Sequence, residues 1–273
     1  MQDSQLDNAI SAIRVRFGSQ ALTRAAELPP PRPWSSGTPL DRLTGIGGLP
    51  RGRLTLLTGS GTCGKLTLAL AMLASATHEF AHTVVIDNRT DQGDSAGRDP
   101  ARRDGLPGRR DKGESPFSFD VWPLLQFDPD LRSLTVVRLA SDLAGEAAVA
   151  LAKAGAGFIL LMGEVPEPWL GPLEAGANRS GTVLVGVVES PGRAFAHASS
   201  LSLGFSRMEW IIERGLLVGL RTVARCLKNR VAPPLGESEL EIRYPLGAQL
   251  TLEHPVREAP LQPAELECES AVV

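Results

Sequence analysis

This sequence has few cysteines, a small net charge and no long apolar run. The three cysteines, Cys63, Cys226 and Cys268, lie far apart and form no C-x-x-C pair, so we expect ordinary reduced thiols and assign no metal-binding residues. The net charge of −3 and the pI near 5.9 give no overall attraction for nucleic acid, so a DNA contact must be local or shared with a partner. No stretch is apolar over the length that crosses a bilayer, and the first ten residues lack the basic and apolar regions of a signal peptide. We therefore expect a soluble cytoplasmic protein that contacts no membrane.

The first 37 residues predict a helix followed by a proline-rich connector. Within 1–27, four apolar side chains recur at helical spacing. They are Leu6, Ile10, Ile13 and Phe17. Residues 28–37, LPPPRPWSSG, predict a stiff extended linker rather than part of a core. The helix either folds back on its own core or packs on a neighbouring subunit; the second alternative makes 1–27 an oligomerisation segment that forms homo-oligomers through the four apolar residues.

Residues 38–251 predict a single α/β core. Five apolar segments are typical of buried strands, and helical patterns at 65–77 and 144–154 alternate with them. The segments are 53–59, 82–87, 133–139, 157–163 and 181–188. Such alternation predicts a mostly parallel central sheet flanked by helices. Beyond residue 188 the helical patterns stop, and the remaining segments predict an antiparallel edge.

Three stretches do not follow the pattern of the core. Residues 89–115 are rich in Asp, Arg, Gly and Pro and predict a disordered charged loop, and 252–273 predict a disordered tail. The segment PFSFDVWPLL at 116–125 either packs in the core, which is the interpretation we favour, or contacts a partner. Its apolar residues include Phe117, Phe119, Val121 and Trp122.

The segment TGSGTCGKLTLAL at 58–70 carries most of a nucleotide-binding phosphate loop. Gly59, Gly64 and Lys65 match the pattern G-x-x-x-x-G-K-[ST] between a predicted strand and a predicted helix, where backbone N–H groups surround an anion. The next position should offer a hydroxyl to Mg²⁺, but it is Leu66. Thr67 comes one residue later, about 100° further round the helix. The segment indicates phosphate-loop ancestry more strongly than ATPase activity.

The acidic positions of such an ATPase are also altered. The strand at 157–163 should end in an Asp that organises Mg²⁺, but it ends in Gly163, and we expect the following Glu164 to open a loop. A second carboxylate should orient the attacking water, but Arg89 follows Asp87 where that acid is expected. Because three separate positions are altered, we predict no efficient hydrolysis and assign no catalytic residue.

The chain resembles the RecA recombinases over nearly its whole length to about residue 248. Three segments carry the resemblance: IRVRFGSQALTR at 13–24, LTGIGGLPRGRLTLLTGSGTCGKLTLAL at 43–70 and RTVARCLKNRVAPPLGESELEIRYPLG at 221–247. The resemblance implies a RecA-like phosphate-loop core whose N-terminal segment docks on the next protomer. The nucleotide-binding residues that it implies are Gly59, Gly64 and Lys65, with Lys228 and Arg230 as cations that reach the neighbouring protomer's nucleotide.

Other positions depart from the RecA pattern. Arg89 replaces the catalytic Glu of the family, and Glu189 replaces the Gln that senses the γ-phosphate. The two DNA-facing loops, at about 164–180 and after Val188, retain few cations, and we expect no counterpart of the C-terminal domain of RecA. The remaining candidates for contacts with single-stranded DNA are Arg179, Arg193 and His197.

A RecA-like chain with an impaired ATPase is similar to the ImuA group. That resemblance implies a non-catalytic adaptor in SOS-induced translesion synthesis, associated with the nucleoid. The implied partners are ImuB (a relative of the Y-family polymerases), RecA and an error-prone C-family polymerase. ATP is then bound, if at all, without efficient hydrolysis. One alternative is a divergent DNA-dependent ATPase or recombinase that uses Thr67 and Glu164, and another is a self-assembling DNA binder stabilised by nucleotide.

Overall fold

The computed structural model describes residues 8, 10–13, 15, 16, 18, 32–88, 119–233, 236–244 and 250–252. The chain divides into two compact units, Met1–Arg32 and Pro33–Val273. In the first unit the described residues from 8 to 16 are helical, as predicted. Ile10 is half-buried and Ile13 is exposed, whereas Leu6 and Phe17 lie outside the described residues.

The described part of the Pro33–Val273 unit contains a nine-stranded sheet and a two-stranded ribbon. The ribbon pairs β1 (Pro33–Trp34) with β2 (Leu49–Pro50). The strands of the sheet are β3 (Leu54–Thr58), β4 (Thr83–Asp87), β5 (Leu134–Arg138), β6 (Phe158–Met162), β7 (Val183–Val188), β8 (Leu201–Glu213), β9 (Leu216–Asn229), β10 (Glu237–Arg243) and β11 (Leu250–Leu252). Their spatial order is β11-β10-β9-β8-β3-β7-β6-β4-β5.

The sheet is parallel on one side and antiparallel on the other, as the sequence predicts. The strands β3, β7, β6, β4 and β5 pair in parallel. The first part of β8 also pairs in parallel with β3, and β8 then forms a long antiparallel hairpin with β9. Antiparallel pairing continues through β10 to β11. The predicted α/β class and the five predicted strands are therefore confirmed, but the predicted burial is wrong for β5, whose residues are half-buried or exposed because it lies at the edge of the sheet.

Helices follow the parallel strands and cover both faces of the sheet. A 3-10 helix spans Pro39–Thr44. The α-helices are α1 (Lys65–Glu79), α2 (Trp122–Leu125), α3 (Ser141–Lys153), α4 (Glu167–Ser180) and α5 (Arg193–Ala198). Side chains of β6 alternate between two apolar cores, with Leu160 in the core that α1 joins and Ile159 in the core that α3 and α4 join. Strands buried on both faces read as continuous apolar runs, which is why the sequence predicts them well.

Part of the predicted linker belongs to the core. Trp34 is 1% exposed, its ring meets the edge of Phe158 with centroids 5.2 Å apart, and its Nε1 donates to Glu79 Oε2 at 2.7 Å. The prediction of a connector over 28–37 is therefore wrong for 33–37, since burial of a large aromatic side chain outweighs the local preference of prolines for extended backbone. Residues 28–31 lie outside the described part of the chain.

Two further predictions need correction. Helices α4 and α5 occupy segments that we predicted as loops, at 164–180 and after Val188. In the segment 116–125, Phe119 is buried as predicted, but Trp122 is 77% exposed, so its predicted core packing is wrong.

The remaining predicted segments can be compared only in part. Phe117, the charged loop at 89–115 and the tail from residue 253 lie outside the described residues. Leu252, at the start of the predicted tail, lies in β11. Among the helices that are described, none has both the length and the apolar character that a membrane crossing requires.

Candidate functional site

A cleft of about 710 Å³ opens where the phosphate loop meets the carboxyl ends of two central strands. Its walls are formed by 61–67, by 162–164 at the end of β6 and by 187–190 at the end of β7. In a parallel sheet this edge is the usual place for a ligand, because the loops and helix N-termini converge there. The fold therefore brings the predicted phosphate loop together with the end of β6, where one acidic residue is expected, and with Glu189 after β7. The end of β4, where the second acidic residue is expected, does not contribute to the described lining of the cleft.

The two pattern glycines of the loop are required by the protein's own packing. Gly64, immediately before α1, has φ +85°, and a Cβ there would lie 2.5 Å from Ile242 Cδ1. Gly59 has φ +148°, and its Cβ would come within 3.0 Å of the Phe205 carbonyl oxygen. Side chains larger than hydrogen are excluded at both positions. The presence of these glycines is thus explained without a bound nucleotide.

The side chain of Lys65 forms hydrogen bonds within the phosphate loop. Its side chain is buried, and its Nζ donates to the carbonyl oxygens of Gly59 at 2.6 Å and Gly61 at 3.3 Å. An anion in the cleft would have to draw the ammonium group away from these two carbonyls. The role of Lys65 in phosphate binding stays a prediction, and the loop already satisfies part of the hydrogen-bonding capacity of its ammonium group.

Of the two residues after Lys65, only Thr67 carries a hydroxyl group. Leu66 is apolar and 39% exposed. Thr67 lines the cleft, is half-buried and lies beside Tyr244, the residue just beyond the end of β10. Burial raises the pKa of Tyr244, and the interaction with the Thr67 hydroxyl partly opposes that rise. The role of Thr67 in nucleotide binding stays a prediction.

The acidic position at the end of β6 is filled by another side chain. Gly163 has φ +130°, and a Cβ there would lie well inside 3.0 Å of Asn88 Oδ1. Asn88 follows β4, is buried, and donates from Nδ2 to the Glu164 carbonyl oxygen at 2.5 Å. The Asn88 side chain thus occupies the space into which an aspartate at position 163 would project. Its Oδ1 is buried and has no hydrogen-bond partner among the described residues.

One oxygen of the Glu164 carboxylate is bonded to the backbone. Its Oε1 accepts a hydrogen bond from the Gly192 N–H at 2.6 Å, at the residue that precedes α5. Glu189 is exposed, and its carbonyl oxygen accepts from the Gly59 N–H at 3.1 Å. Two carboxylates therefore line the cleft, against Lys65 as the one cation among its described lining residues. This balance does not favour a triphosphate, and no cluster of metal-ligating side chains occurs in the described part of the chain.

Asp87, at the end of β4, also has a structural contact. It is fully buried and accepts a hydrogen bond from the backbone N–H of Phe119. Arg138 donates to the carbonyl oxygen of Phe119 at 3.1 Å. The backbone of Phe119 is therefore held at both its N–H and its carbonyl group. Arg89, at the position expected for the catalytic acid, lies outside the described residues.

The predicted cation pair lies away from the lining of the cleft. Lys228 Nζ donates to the carbonyl oxygens of Ala196 at 2.7 Å and His197 at 3.0 Å, so it caps the C-terminus of α5. Burial, together with the positive charge of Arg230, lowers the pKa of Lys228. Arg230 itself is exposed. Helix α5 is thus held at one end by Glu164 and at the other by Lys228, while the role of both cations toward a neighbour's nucleotide stays a prediction.

The three candidate DNA contacts lie on two helices that pack together. Arg179 is exposed in the last turn of α4, and Arg193 and His197 are exposed one helical turn apart on α5. Their positions leave all three side chains accessible. Their binding to DNA stays a prediction.

Sequence reasoning missed two residues at this site. One is Asn88, which fills the space beside Gly163. The other is Arg207 on β8, which donates to the Thr62 carbonyl oxygen in the phosphate loop at 3.3 Å. Its guanidinium carbon lies 4.6 Å from the ring centroid of Trp210. No local sequence pattern predicts either contact, because each joins segments that are far apart in the chain.

Comparison with known proteins agrees with this architecture. Residues 4–94 match the family model of the RecA N-terminal domain. RecA from Frankia casuarinae is 28% identical over 268 residues, which cover 89% of this chain and 75% of that protein. RecA from Rhodococcus jostii is 29% identical over 273 residues, with 90% and 76% covered. RecA from Aquifex pyrophilus is 28% identical, with 88% and 73% covered.

A solved structure shows the same fold. The crystal structure of a KaiC-like protein from Pyrococcus horikoshii OT3 has a TM-score of 0.53 to this chain at 19% identity, covering 81% of this chain and all of that one. The sequence similarity to RecA runs through the phosphate loop, and the parallel sheet places that loop at its carboxyl edge. The sequence is thus similar to that of RecA, and the fold is similar to that of a RecA-like phosphate-loop protein.

Proposed function

We propose that this chain is a non-catalytic, ImuA-like adaptor in SOS-induced translesion synthesis. The main support for the proposal comes from position 163, where RecA-like ATPases carry an acidic residue. Here the residue is Gly163, and Asn88 occupies the space beside it. A RecA-like ATPase needs a carboxylate there to organise Mg²⁺. A single substitution at Gly163 does not restore it, because the space is occupied and the backbone is in a conformation that favours glycine.

The other polar groups of the cleft support the same conclusion. The carboxylate of Glu164 accepts a hydrogen bond from the Gly192 N–H, and Lys65 Nζ donates to the carbonyl oxygens of Gly59 and Gly61. Each group thus already has a partner within the protein. The contacts therefore favour a cleft that stabilises the fold over one that turns over ATP.

As an adaptor, the protein would act by binding other proteins near DNA in the cytoplasm. The partners we propose are a second copy of this chain, ImuB, RecA and an error-prone C-family polymerase. Self-association would use the apolar face of the N-terminal helix, which includes Ile10 and Ile13. Deletion of 1–27 is then expected to give monomers in sedimentation velocity, and an unchanged sedimentation profile would contradict that part of the proposal.

Direct binding tests the adaptor function. The purified chain would be immobilised and exposed in turn to ImuB, to RecA and to the C-family polymerase, with Lys65→Ala as the control variant. We expect binding to at least one partner, with an affinity that Lys65→Ala leaves within about twofold, because hydrolysis plays no part. Absence of binding to all three, or binding that depends on Lys65, would contradict the proposal.

A second candidate function is binding of single-stranded DNA without hydrolysis. The exposed cations on α4 and α5 favour it, since Arg179, Arg193 and His197 are free of ion pairs among the described residues. Affinity would then fall steeply with added salt, because each phosphate contact releases counterions. Fluorescence anisotropy of a labelled oligonucleotide at two salt concentrations tests this, and affinity that does not depend on salt would exclude it.

A further inference from the structure

The hairpin of β8 and β9 exposes a group of large apolar side chains near its tip. We define the hairpin patch as Trp210, Ile212 and Leu217 together with Arg207. The three apolar side chains are 38%, 64% and 53% exposed, respectively. Met208, at the bulge that follows Arg207, is a further exposed apolar residue, with 52% of its surface accessible. A group of this kind on one element is unusual for a surface that only meets water.

The pairing of the hairpin places these side chains on one face. Trp210 and Ile212 are two residues apart on β8, so they point the same way. Ile212 lies opposite Leu217, and Trp210 lies opposite Leu220, which is fully buried. The patch is therefore the exposed continuation of the face that packs on the core.

The opposite face of the hairpin is charged and internally neutralised. Arg221 pairs with Glu209 and with Glu241, and Arg243 pairs with Glu241 and with Glu213. These ion pairs leave few charges on that face for a partner. The two faces differ in chemistry, and only the hairpin patch combines exposed apolar area with unneutralised positive charge.

The positive charge of the patch comes from Arg207, with Arg214 nearby in the turn. Arg207 stacks over Trp210 and donates to the Thr62 carbonyl oxygen. Arg214 is exposed, with φ +53°. Neither guanidinium has a carboxylate partner among the described residues. An occupant that covers the apolar side chains would desolvate these cations, so it should bring negative charge.

We propose that the hairpin patch docks an acidic amphipathic segment of a partner protein, with apolar side chains on Trp210, Ile212 and Leu217 and carboxylates toward Arg207 and Arg214. A nucleic acid fits less well, because it would meet mostly apolar surface and only two cations. A second copy joined face to face would place the same arginines against each other. No residue of the patch belongs to the lining of the cleft, although Arg207 also contacts Thr62 in the phosphate loop, and the test of the patch does not depend on hydrolysis.

Peptide selection tests this docking surface. A random library of 16-residue peptides displayed on phage would be selected on the purified full chain, and the enriched peptides would be synthesised with a fluorescent label. We expect sequences with net negative charge and with apolar residues at helical spacing. Their affinity should fall at least about tenfold in the double variant Trp210→Ser/Ile212→Ser and in Arg207→Glu, since central aromatic and arginine residues dominate such interfaces.

A matched control separates the patch from exposed apolar residues in general. Leu227, on β9, is 59% exposed, and Leu227→Ser should leave peptide affinity within about twofold. Thermal unfolding of each variant, followed by circular dichroism, would show that the chains are folded. The proposal is overturned if no peptide is enriched, if the enriched peptides are basic, or if Leu227→Ser weakens binding as much as the double variant. It is also overturned if the double variant abolishes self-association or binding of single-stranded DNA instead.

Discussion

Replacing Gly163 by alanine should destabilise the fold because the space for a side chain is already filled. Gly163 ends β6 with φ +130°, a backbone conformation that residues with a Cβ rarely adopt. The added methyl group would lie well inside 3.0 Å of Asn88 Oδ1, and Asn88 is buried and held by its bond to the Glu164 carbonyl oxygen. Two separate penalties therefore act at one position.

Their sizes follow from the two mechanisms. Holding a residue with a Cβ at an unfavourable positive φ costs about 1–3 kcal/mol. Forcing a methyl group into occupied space costs about 1–3 kcal/mol more. We therefore expect Gly163→Ala to lower the free energy of unfolding by about 2–6 kcal/mol.

Two variants separate the penalties. Gly155 has φ +89° and nothing within 4 Å of a Cβ, so Gly155→Ala should show the backbone cost alone. The double variant Asn88→Ala/Gly163→Ala removes the clash and keeps the backbone cost. A double-mutant cycle should give a coupling of about 1–3 kcal/mol between positions 88 and 163.

Urea unfolding of the purified variants, followed by circular dichroism, measures these differences at constant m-value. Our account of the filled acidic position would be refuted if Gly163→Ala cost no more than Gly155→Ala. It would also be refuted if the effects of Asn88→Ala and Gly163→Ala were additive, because additivity means that the two positions do not compete for space.

Three further variants test contacts that the structure adds to the sequence. Trp34→Ala should lower the free energy of unfolding by about 3–5 kcal/mol in urea, as expected for a buried aromatic residue, whereas a linker residue would show almost no loss. Glu164→Ala should cost about 0.5–2 kcal/mol and speed hydrogen exchange of the Gly192 amide, because α5 loses its N-terminal acceptor; an unchanged exchange rate would contradict this. Lys228 has a lowered pKa, so the folded chain releases its proton at lower pH than the unfolded chain, and the wild type should gain stability relative to Lys228→Met as pH rises toward the ordinary lysine pKa. If the stability difference between the wild type and Lys228→Met stays constant or falls as pH rises, the lowered pKa of Lys228 is contradicted.

The central sheet could be predicted because its signals are local. The strands β3, β4 and β6 are buried along their whole length, so each appears in the sequence as an apolar run bounded by polar or glycine residues. The phosphate loop is equally local, since Gly64 and Lys65 are fixed by spacing alone. The structure confirms the parallel strands and the position of the loop between β3 and α1.

The errors arise where distant packing overrides a local preference. Trp34 stands among prolines that indicate an extended linker, but its ring is buried against Phe158. Helix α4 tolerates Pro172 in its interior, so the prolines of that segment did not exclude a helix. Asn88 could not be predicted as the residue that fills the space beside Gly163, because that contact exists only once β4 and β6 are paired.

Phosphate release from ATP measures the central claim most directly. The purified chain would be incubated with ATP, Mg²⁺ and single-stranded DNA beside Lys65→Ala, which removes the ammonium group bonded to the loop carbonyls. Our account predicts that both proteins release phosphate at the background rate. Turnover by the wild type that Lys65→Ala abolishes would contradict it.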